Sequence, residues 1–330
     1  MSRPDVPDPQ TSLPADDHPQ HAPEDGKRTA EPKGRDDFFI GAQRFEAPRQ
    51  EPGLYIVSTP IGNLGDITVR GLETLAGADL VACEDTRVTA TLMRRFGLKT
   101  PLTAYHEHNA ERARPKLLGV LAAGGKVALV SDAGTPLVSD PGYRLVKAVL
   151  AEGHKVIPIP GASAPLAALV GAGLPSDTVC FAGFLPVKSG QRTSRLAELS
   201  RVPATLVFFE SPRRVAASLA DMAGVFGKTR EAVVARELTK TFETFERGTL
   251  SELARRFDGE TVRGEIVVVV APPEPRPEAD PADADRLLAE ALATMKPAAA
   301  AKQVSQLTGV ERKDLYARAL TLKSGEGDAS

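Results

Sequence analysis

Apolar residues show no periodicity over the first fifty positions and then arrive in short, regular bursts. Residues 1–52 hold nine of the chain's 27 prolines, interspersed with Asp, Gln, His and Lys. Such a composition buries too little surface to offset the entropy of ordering, which predicts a disordered tail over 1–52. From Gly53 the pattern alternates. Leu54 to Ser58 predicts a strand, and Val69, Leu72, Leu75 and Ala76 share one face of a helix beginning near Thr68. Leu80 to Cys83 predicts a strand, Val88 to Phe96 a helix, and Asn109 to Leu121 another. Pro115 counts against that last helix, because an interior proline removes a hydrogen bond. Lys126 to Val130 predicts a strand, Gly142 to Ala151 a helix, Val156 to Ile159 a strand, and Ala164 to Val170 a helix capped by Ser163. Asp140 is suited to cap the helix near Gly142, with Pro141 at its first turn and Gly153 at its end. Strands alternating with helices predict a largely parallel sheet covered on both faces.

Beyond Gly171-Ala172-Gly173-Leu174-Pro175 the order becomes mixed. Thr178 to Gly183, Thr205 to Phe209, Glu231 to Arg236 and Glu265 to Val270 predict strands. Val215 to Phe226 and Leu250 to Phe257 predict helices. The expected organisation is therefore a tail (1–52), an α/β domain (53–172), a second α/β domain (173–271), a linker (272–282), a helical domain (283–323) and a short tail (324–330). The linker holds five prolines. In the helical domain, Ala298 to Leu307 and Glu311 to Leu322 flank a turn at Thr308-Gly309, a helix-turn-helix outline.

Charge and cysteine usage narrow the function classes. Net charge is −2, so any nucleic-acid contact must come from a local basic face. Lys296 to Lys323 offers one, with six basic residues against Glu311 and Asp314. A solvated bundle surface would look the same. Cys83 and Cys180 are far apart and form no CxxC pair, which argues against a disulfide framework. No apolar run approaches a membrane span, and the amino terminus lacks the order of a signal peptide, so a cytoplasmic location is expected.

Candidate chemistry sits in the loops that follow strands: Thr59 to Asn63, Ser131 to Pro136, Pro160 to Ala164, and Glu210 to Arg213. Small residues there leave backbone N–H and C=O groups open to a ligand. None of the loops is a Walker A motif or a GxGxxG dinucleotide fingerprint. His106 and His108 have only His154 as a third histidine in the folded part, so no metal site is expected. Glu84 and Asp85 follow a strand, where they serve either chemistry or the cap of the next helix. Arg213, with Arg214 beside it, suits either a phosphate contact or a structural ion pair.

Taken together and in order, these loops resemble the tetrapyrrole (corrin/porphyrin) methylase superfamily. The resemblance is carried by Leu54 through Thr68, Glu84-Asp85-Thr86-Arg87, Ser131 through Gly142, and Pro160-Gly161 with Ser163-Ala164. Gly183-Phe184-Leu185-Pro186, Ala235 through Lys240 and Gly264-Glu265-Ile266-Val267 complete it. It covers 53–271 densely and is most similar to the branch that methylates a cytidine ribose 2′-oxygen in 16S rRNA of the small ribosomal subunit. It implies S-adenosylmethionine (SAM) in a cleft between the two α/β domains, and a homodimer. Carried over by position, it implies cofactor contacts from Pro60, Ala133, Gly134, Thr135, Val138, Ser163, Ala164, Glu210 and Glu237. Because SAM carries its own leaving group, the residues mainly align the reactants. Glu84, Asp85 and Asp66 are the candidate bases for a weakly nucleophilic hydroxyl, with Arg87, Arg213 and Lys240 as candidate phosphate clamps. Two other readings remain: a SAM-dependent C-methylase of a tetrapyrrole, and a non-catalytic RNA-binding protein that keeps SAM as a structural ligand.

Overall fold

The computed structural model describes residues 36–274 and 281–325. The expected tail over 1–35, the linker stretch 275–280 and the last five residues lie outside them. Order begins earlier than Gly53. Strands β1 (Asp37–Ile40) and β2 (Gln43–Glu46) form an antiparallel hairpin. Phe38 is buried in the core of the first sheet and stacks on Phe45 at 5.4 Å. Asp37, itself buried, is paired with Arg44 at 2.9 Å. The expected tail over 1–52 is thereby corrected for its last part: two phenylalanines give the hairpin an apolar face that the surrounding polar composition hides.

The first sheet is parallel, ordered β5 (Leu102–Ala104), β4 (Leu80–Cys83), β6 (Lys126–Leu129), β3 (Gly53–Val57), β7 (Val156–Ile159). Every residue of β3 and β4 is buried, as expected of strands covered on both faces. Leu54 and Ile56 join the core under α3 (Ala110–Ala122) and α4 (Tyr143–Ala151). Tyr55 and Val57 join the opposite core, with α1 (Val69–Gly77) and α2 (Thr86–Arg95). The period-2 alternation thus serves both layers. Pro115 lies inside α3, and the helix nevertheless continues because Leu117 and Leu121 are buried against the sheet. The helix after Gly142 begins at Tyr143 with Gly142 as its N-cap and no side-chain cap bond. Asp140 is therefore not the cap, a correction to which the site returns.

The second sheet is mixed, ordered β11 (Thr244–Thr249), β10 (Glu231–Arg236), β12 (Ile266–Val270), β9 (Thr205–Glu210), β8 (Val179–Phe184), with only β8 and β9 parallel. Leu206, Phe208, Val234 and Val268 pack with α6 (Ser189–Leu199), α7 (Val215–Phe226) and α8 (Leu250–Phe257). The other face, Val207, Val233, Val267 and Val269, packs with Ala168, Leu169 and Ala172 of α5 (Ala164–Ala172). This corrects the boundary expected at 172: α5 follows the first sheet in sequence yet covers the second. Arg247 reinforces the join by donating from Nε to the carbonyl of Ala172 at 3.2 Å, satisfying an orphan carbonyl at the helix end.

Three further helices, α9 (Pro281–Leu292), α10 (Pro297–Thr308) and α11 (Arg312–Gly325), enclose their own small core of Leu288, Val304, Leu315 and alanines. Gly309 ends α10 in the left-handed region at φ 79°. Among the described residues, no helix is long and apolar enough to cross a membrane.

Candidate active site

β3 connects to β4 on one side of the first sheet, and β6 connects to β7 on the other. The crevice at the carboxyl ends of β3 and β6 is therefore the topological switch point, where open α/β sheets receive ligands. The two loops are tied there by a short antiparallel bridge. The Thr59 amide donates to Gly134 O at 2.8 Å, and the Gly134 amide donates to Thr59 O at 3.0 Å. Gly134 adopts φ 83°, a conformation that glycine alone takes without strain. Thr135 Oγ1 donates to Ala162 O at 3.2 Å and lies 2.9 Å from Ser58 Oγ, so one side chain links three strand-end loops.

The second domain closes this end. A cavity of about 380 Å³ lies between the two, walled on one side by Ile61, Ala133, Ser139, Asp140 and Ala164. Phe184, Phe209, Glu210, Leu238 and Gly264 through Val267 wall it on the other. Its size suits a ligand of SAM's dimensions, and its mainly apolar wall with a few polar groups is the usual make-up of such sites. Four non-glycine residues with left-handed backbone flank it: Leu137 (φ 72°), Ser139 (66°), Glu237 (53°) and Thr239 (65°). Strain of this kind persists where surrounding structure holds it, and clusters at ligand sites.

Of the residues expected at the cofactor, Ala133, Ala164 and Glu210 line this cavity. Gly134 and Thr135 bind its loops together, and Val138 donates from its amide to Thr135 O at 3.4 Å. Ser163 stands at the N-cap of α5 without a side-chain cap bond. Pro60 instead lines a neighbouring cavity of about 280 Å³ with Ser131, Asp132, Val88 and Thr91. Glu210 is buried and saturated. It accepts from the Ser211 amide at 2.8 Å and from Ser218 Oγ at 2.5 Å, and it pairs with Arg214 at 3.1 Å. Glu237 is not in the cavity wall but braces it: it accepts from Lys240 Nζ at 2.8 Å and from the Glu265 amide at 3.0 Å. The ammonium holds its carboxyl below the usual range. Lys240 also reaches Glu265 at 3.1 Å, so this lysine fastens the rim and is not a free phosphate clamp.

The expected bases separate as clearly. Asp85 caps α2, accepting from the Arg87 amide at 2.8 Å and taking the Arg87 guanidinium at 2.6 Å. These contacts pull its carboxyl down to about 2. Arg87 is thereby engaged, although it stays highly exposed. Asp66 lies on an exposed 3-10 turn, Leu64–Asp66, outside the cavity, and Arg213 is exposed at the end of β9. Glu84 is half-buried, and burial, then Asp132, push its carboxyl up. Asp140 is the residue the sequence reading missed as chemistry. It lines the cavity, and burial, then the neighbouring Glu84, push its carboxyl up to about 6. Its Asp-Pro context fitted a helix cap, which disguised it.

The sequence pattern of the Tetrapyrrole (Corrin/Porphyrin) Methylases matches residues 53–254. A Mesorhizobium japonicum protein named ribosomal RNA small subunit methyltransferase I is 56% identical over 88% of this chain and 99% of its own length. The chain belongs to the ribosomal RNA small subunit methyltransferase I family of tetrapyrrole methylases. An Escherichia coli O157:H7 protein of the same name is 45% identical over 84% of this chain and 98% of its own. A second pattern, the RsmI C-terminal HTH domain, matches residues 278–323, the helical bundle. The tetrapyrrole-methylase fold is also seen in solved structures of the methyltransferase CobJ and of diphthine synthase. CobJ is 20% identical with a TM-score of 0.51 over 67% of this chain and 94% of its own. Diphthine synthase is 18% identical with a TM-score of 0.51 over 66% and 89%.

Proposed function

We propose that this protein transfers the methyl group of SAM to the ribose 2′-oxygen of a cytidine in 16S rRNA, acting on the small ribosomal subunit in the cytoplasm. The observation that carries the reading is the pairing of a methylase cleft with a carboxyl-terminal helix-turn-helix domain. Relatives at 45% and 56% identity, matched over 98% and 99% of their own length, are named for ribosomal RNA.

The residues present fit the cosubstrate. SAM supplies an electrophilic methyl group on a positively charged sulfur. Backbone groups of Ala133, Gly134 and Thr135, with Val138, Ser163 and Ala164 beside them, would hold its polar ends. The carboxylate of Asp140 in the cavity wall, with Glu84 and Asp132 near it, gives that end a negative field suited to a cation. The chain's remaining task is to exclude water and hold the hydroxyl in line. The RNA backbone would run along α2 and the turn after it, where Thr86 to Lys99 carries Arg87, Arg94, Arg95 and Lys99 and no acidic residue. Phosphates favour such a surface. A homodimer would cover α5, where Leu166 and Val170, one turn apart, are 61% and 81% exposed.

The test uses methyl-tritiated SAM with small subunits from a strain lacking the modification. Label in rRNA is expected. Label only in added uroporphyrinogen would favour the tetrapyrrole reading, and SAM binding without transfer would favour a structural role.

A further inference from the structure

We propose that the second cavity of the first domain receives the base of the target nucleotide, and that Asp132 reads that base as cytosine by accepting from its amino group. The assignment rests on the 2′-O-methylation reading above.

This cavity, of about 280 Å³, lies beside the cofactor cleft, and all of its lining residues belong to the first domain. Consecutive residues part between the two spaces. Pro60 lines this cavity and Ile61 the cleft, while Asp132 lines this cavity and Ala133 the cleft. The loops after β3 and β6, held together by the Thr59–Gly134 bridge, are thus a partition between two cavities. A ribose at the rim of that partition would have its base on one side and the methyl donor on the other. Transfer to the 2′-oxygen of an unstacked nucleotide calls for such an arrangement.

The lining suits one base. Pro60, Leu64, Val88 and Leu92 supply apolar surface, and Leu64 and Val88 are exposed. Most of the cavity's hydroxyls are already committed. Thr59 donates to Ser131 O and Ser131 to Gly134 O, both at 3.1 Å, and Thr89 is hydrogen-bonded to Cys83. Asp132 differs. Its Oδ1 accepts from the Asp85 amide at 3.0 Å, which fixes the carboxylate across the ends of β4 and β6. Among the described residues its Oδ2 has no hydrogen-bond donor, and Asp132 makes no ion pair. An ionised carboxylate can only accept. Cytosine carries an amino group where uracil carries a carbonyl oxygen, so the carboxylate attracts the first and repels the second.

The same helix offers a track for the backbone. Arg87, Thr91 and Arg94 follow one another at spacings of four and three on α2 and therefore share a face. Thr91 lines the cavity, and Arg94 Nη2 donates to its Oγ1 at 3.4 Å. The two arginines stand on either side of the cavity along the helix, where they suit the phosphates flanking an extruded nucleotide.

The test uses small subunits reconstituted from unmodified 16S transcripts that carry either the target cytidine or a uridine in its place. Methyl transfer from labelled SAM by the full-length protein gives kcat/KM for each, and calorimetry with SAM and a thermal melt accompany every variant. Wild type should favour cytidine by at least about tenfold. D132N keeps an oxygen for the Asp85 amide but turns an NH₂ donor to the base. Its preference should fall below about threefold or reverse toward uridine, with SAM affinity unchanged. L64W fills the cavity from its exposed edge and should cut transfer to cytidine at least about tenfold, with SAM affinity and melt unchanged. A wild type that does not distinguish the two templates would overturn the assignment. So would a D132N that loses rate equally on both with its preference intact, or undiminished transfer by L64W. Loss of SAM affinity in L64W would also overturn it, because the two cavities would then be one site. Transfer by the wild type to neither template would instead refute 2′-O-methylation itself.

Discussion

Gly62 of the first domain meets Lys240 of the second at the mouth of the cleft. A Cβ placed on Gly62 would lie 2.5 Å from Lys240 Cγ and 3.0 Å from the Leu238 carbonyl oxygen. The lysine stem can swing aside, but the backbone carbonyl belongs to a loop with left-handed residues on both sides of Leu238. The loop after β3 and the loop after β10 are thus fitted to each other, and the cavity keeps its width because no side chain separates them.

Gly62→Val should therefore pry the loops apart. The expected cost in stability is about 1–3 kcal/mol, as for other overpacked sites. SAM affinity should fall at least tenfold, because Ile61 and Leu238 on the two loops both line the cavity. Denaturant unfolding and calorimetry on the same samples check both.

Gly134→Val should abolish SAM binding while circular dichroism remains that of a folded protein. The side chain would force a left-handed conformation costing roughly 1–2 kcal/mol and would press on Ile61, already 3.2 Å from the site of its Cβ. Unchanged affinity would remove this loop from the cofactor site.

Glu210→Ala should cost about 3 kcal/mol of stability, since it strands Arg214 and Ser218 in a largely buried setting. The resemblance assigns Glu210 to the cofactor, whereas its contacts assign it to the architecture of the wall. A melt that drops sharply, with the SAM affinity of the surviving folded fraction little changed, would support the architectural role.

Acid stability offers a separate check on the cap of α2. The Asp85 carboxyl in the folded protein lies at about 2, below its ordinary 3.8. A depressed carboxyl stabilises the fold above its unfolded value and loses that contribution as pH falls through the folded one. Asp85→Asn keeps a capping side chain but not the charge. Its deficit in urea midpoint should be constant above about pH 5 and shrink toward pH 2. A deficit independent of pH would mean the Arg87 pairing contributes nothing.

Removing residues 275–330 should weaken binding to small subunits, and flatten its salt dependence, while SAM affinity stays intact. The helical bundle closes a core of its own, so the methylase fold should survive its loss. Equal subunit affinity with and without it, measured across salt concentrations, would give the bundle another role.

The strands that build the site were legible because they are buried on both faces. β3, β4 and β12 read as continuous apolar runs. The elements that escaped are edges and polar covers. β5 is three half-buried residues, and β11 is the polar edge strand TFERGT. α6 buries chiefly Leu196, Leu199 and an Arg192 paired with Asp221. In the site, the small-residue loops announced themselves, since chain composition directly reports an exposed backbone. Side-chain partnerships did not. That Lys240 closes on Glu237 and Glu265, or that Arg87 closes on Asp85, depends on how the loops turn. Asp140 was read as a cap because Asp-Pro-Gly before a helix satisfies that pattern too.

The most direct test is nucleoside mass spectrometry of the rRNA after reaction with unmodified small subunits. The prediction is one new methylated nucleoside, a cytidine whose extra 14 mass units (roughly one CH₂, the net gain when a methyl replaces a hydroxyl proton) stay with the ribose fragment. A methyl group on the base fragment, or rRNA that gains none, would contradict 2′-O-methylation by this protein.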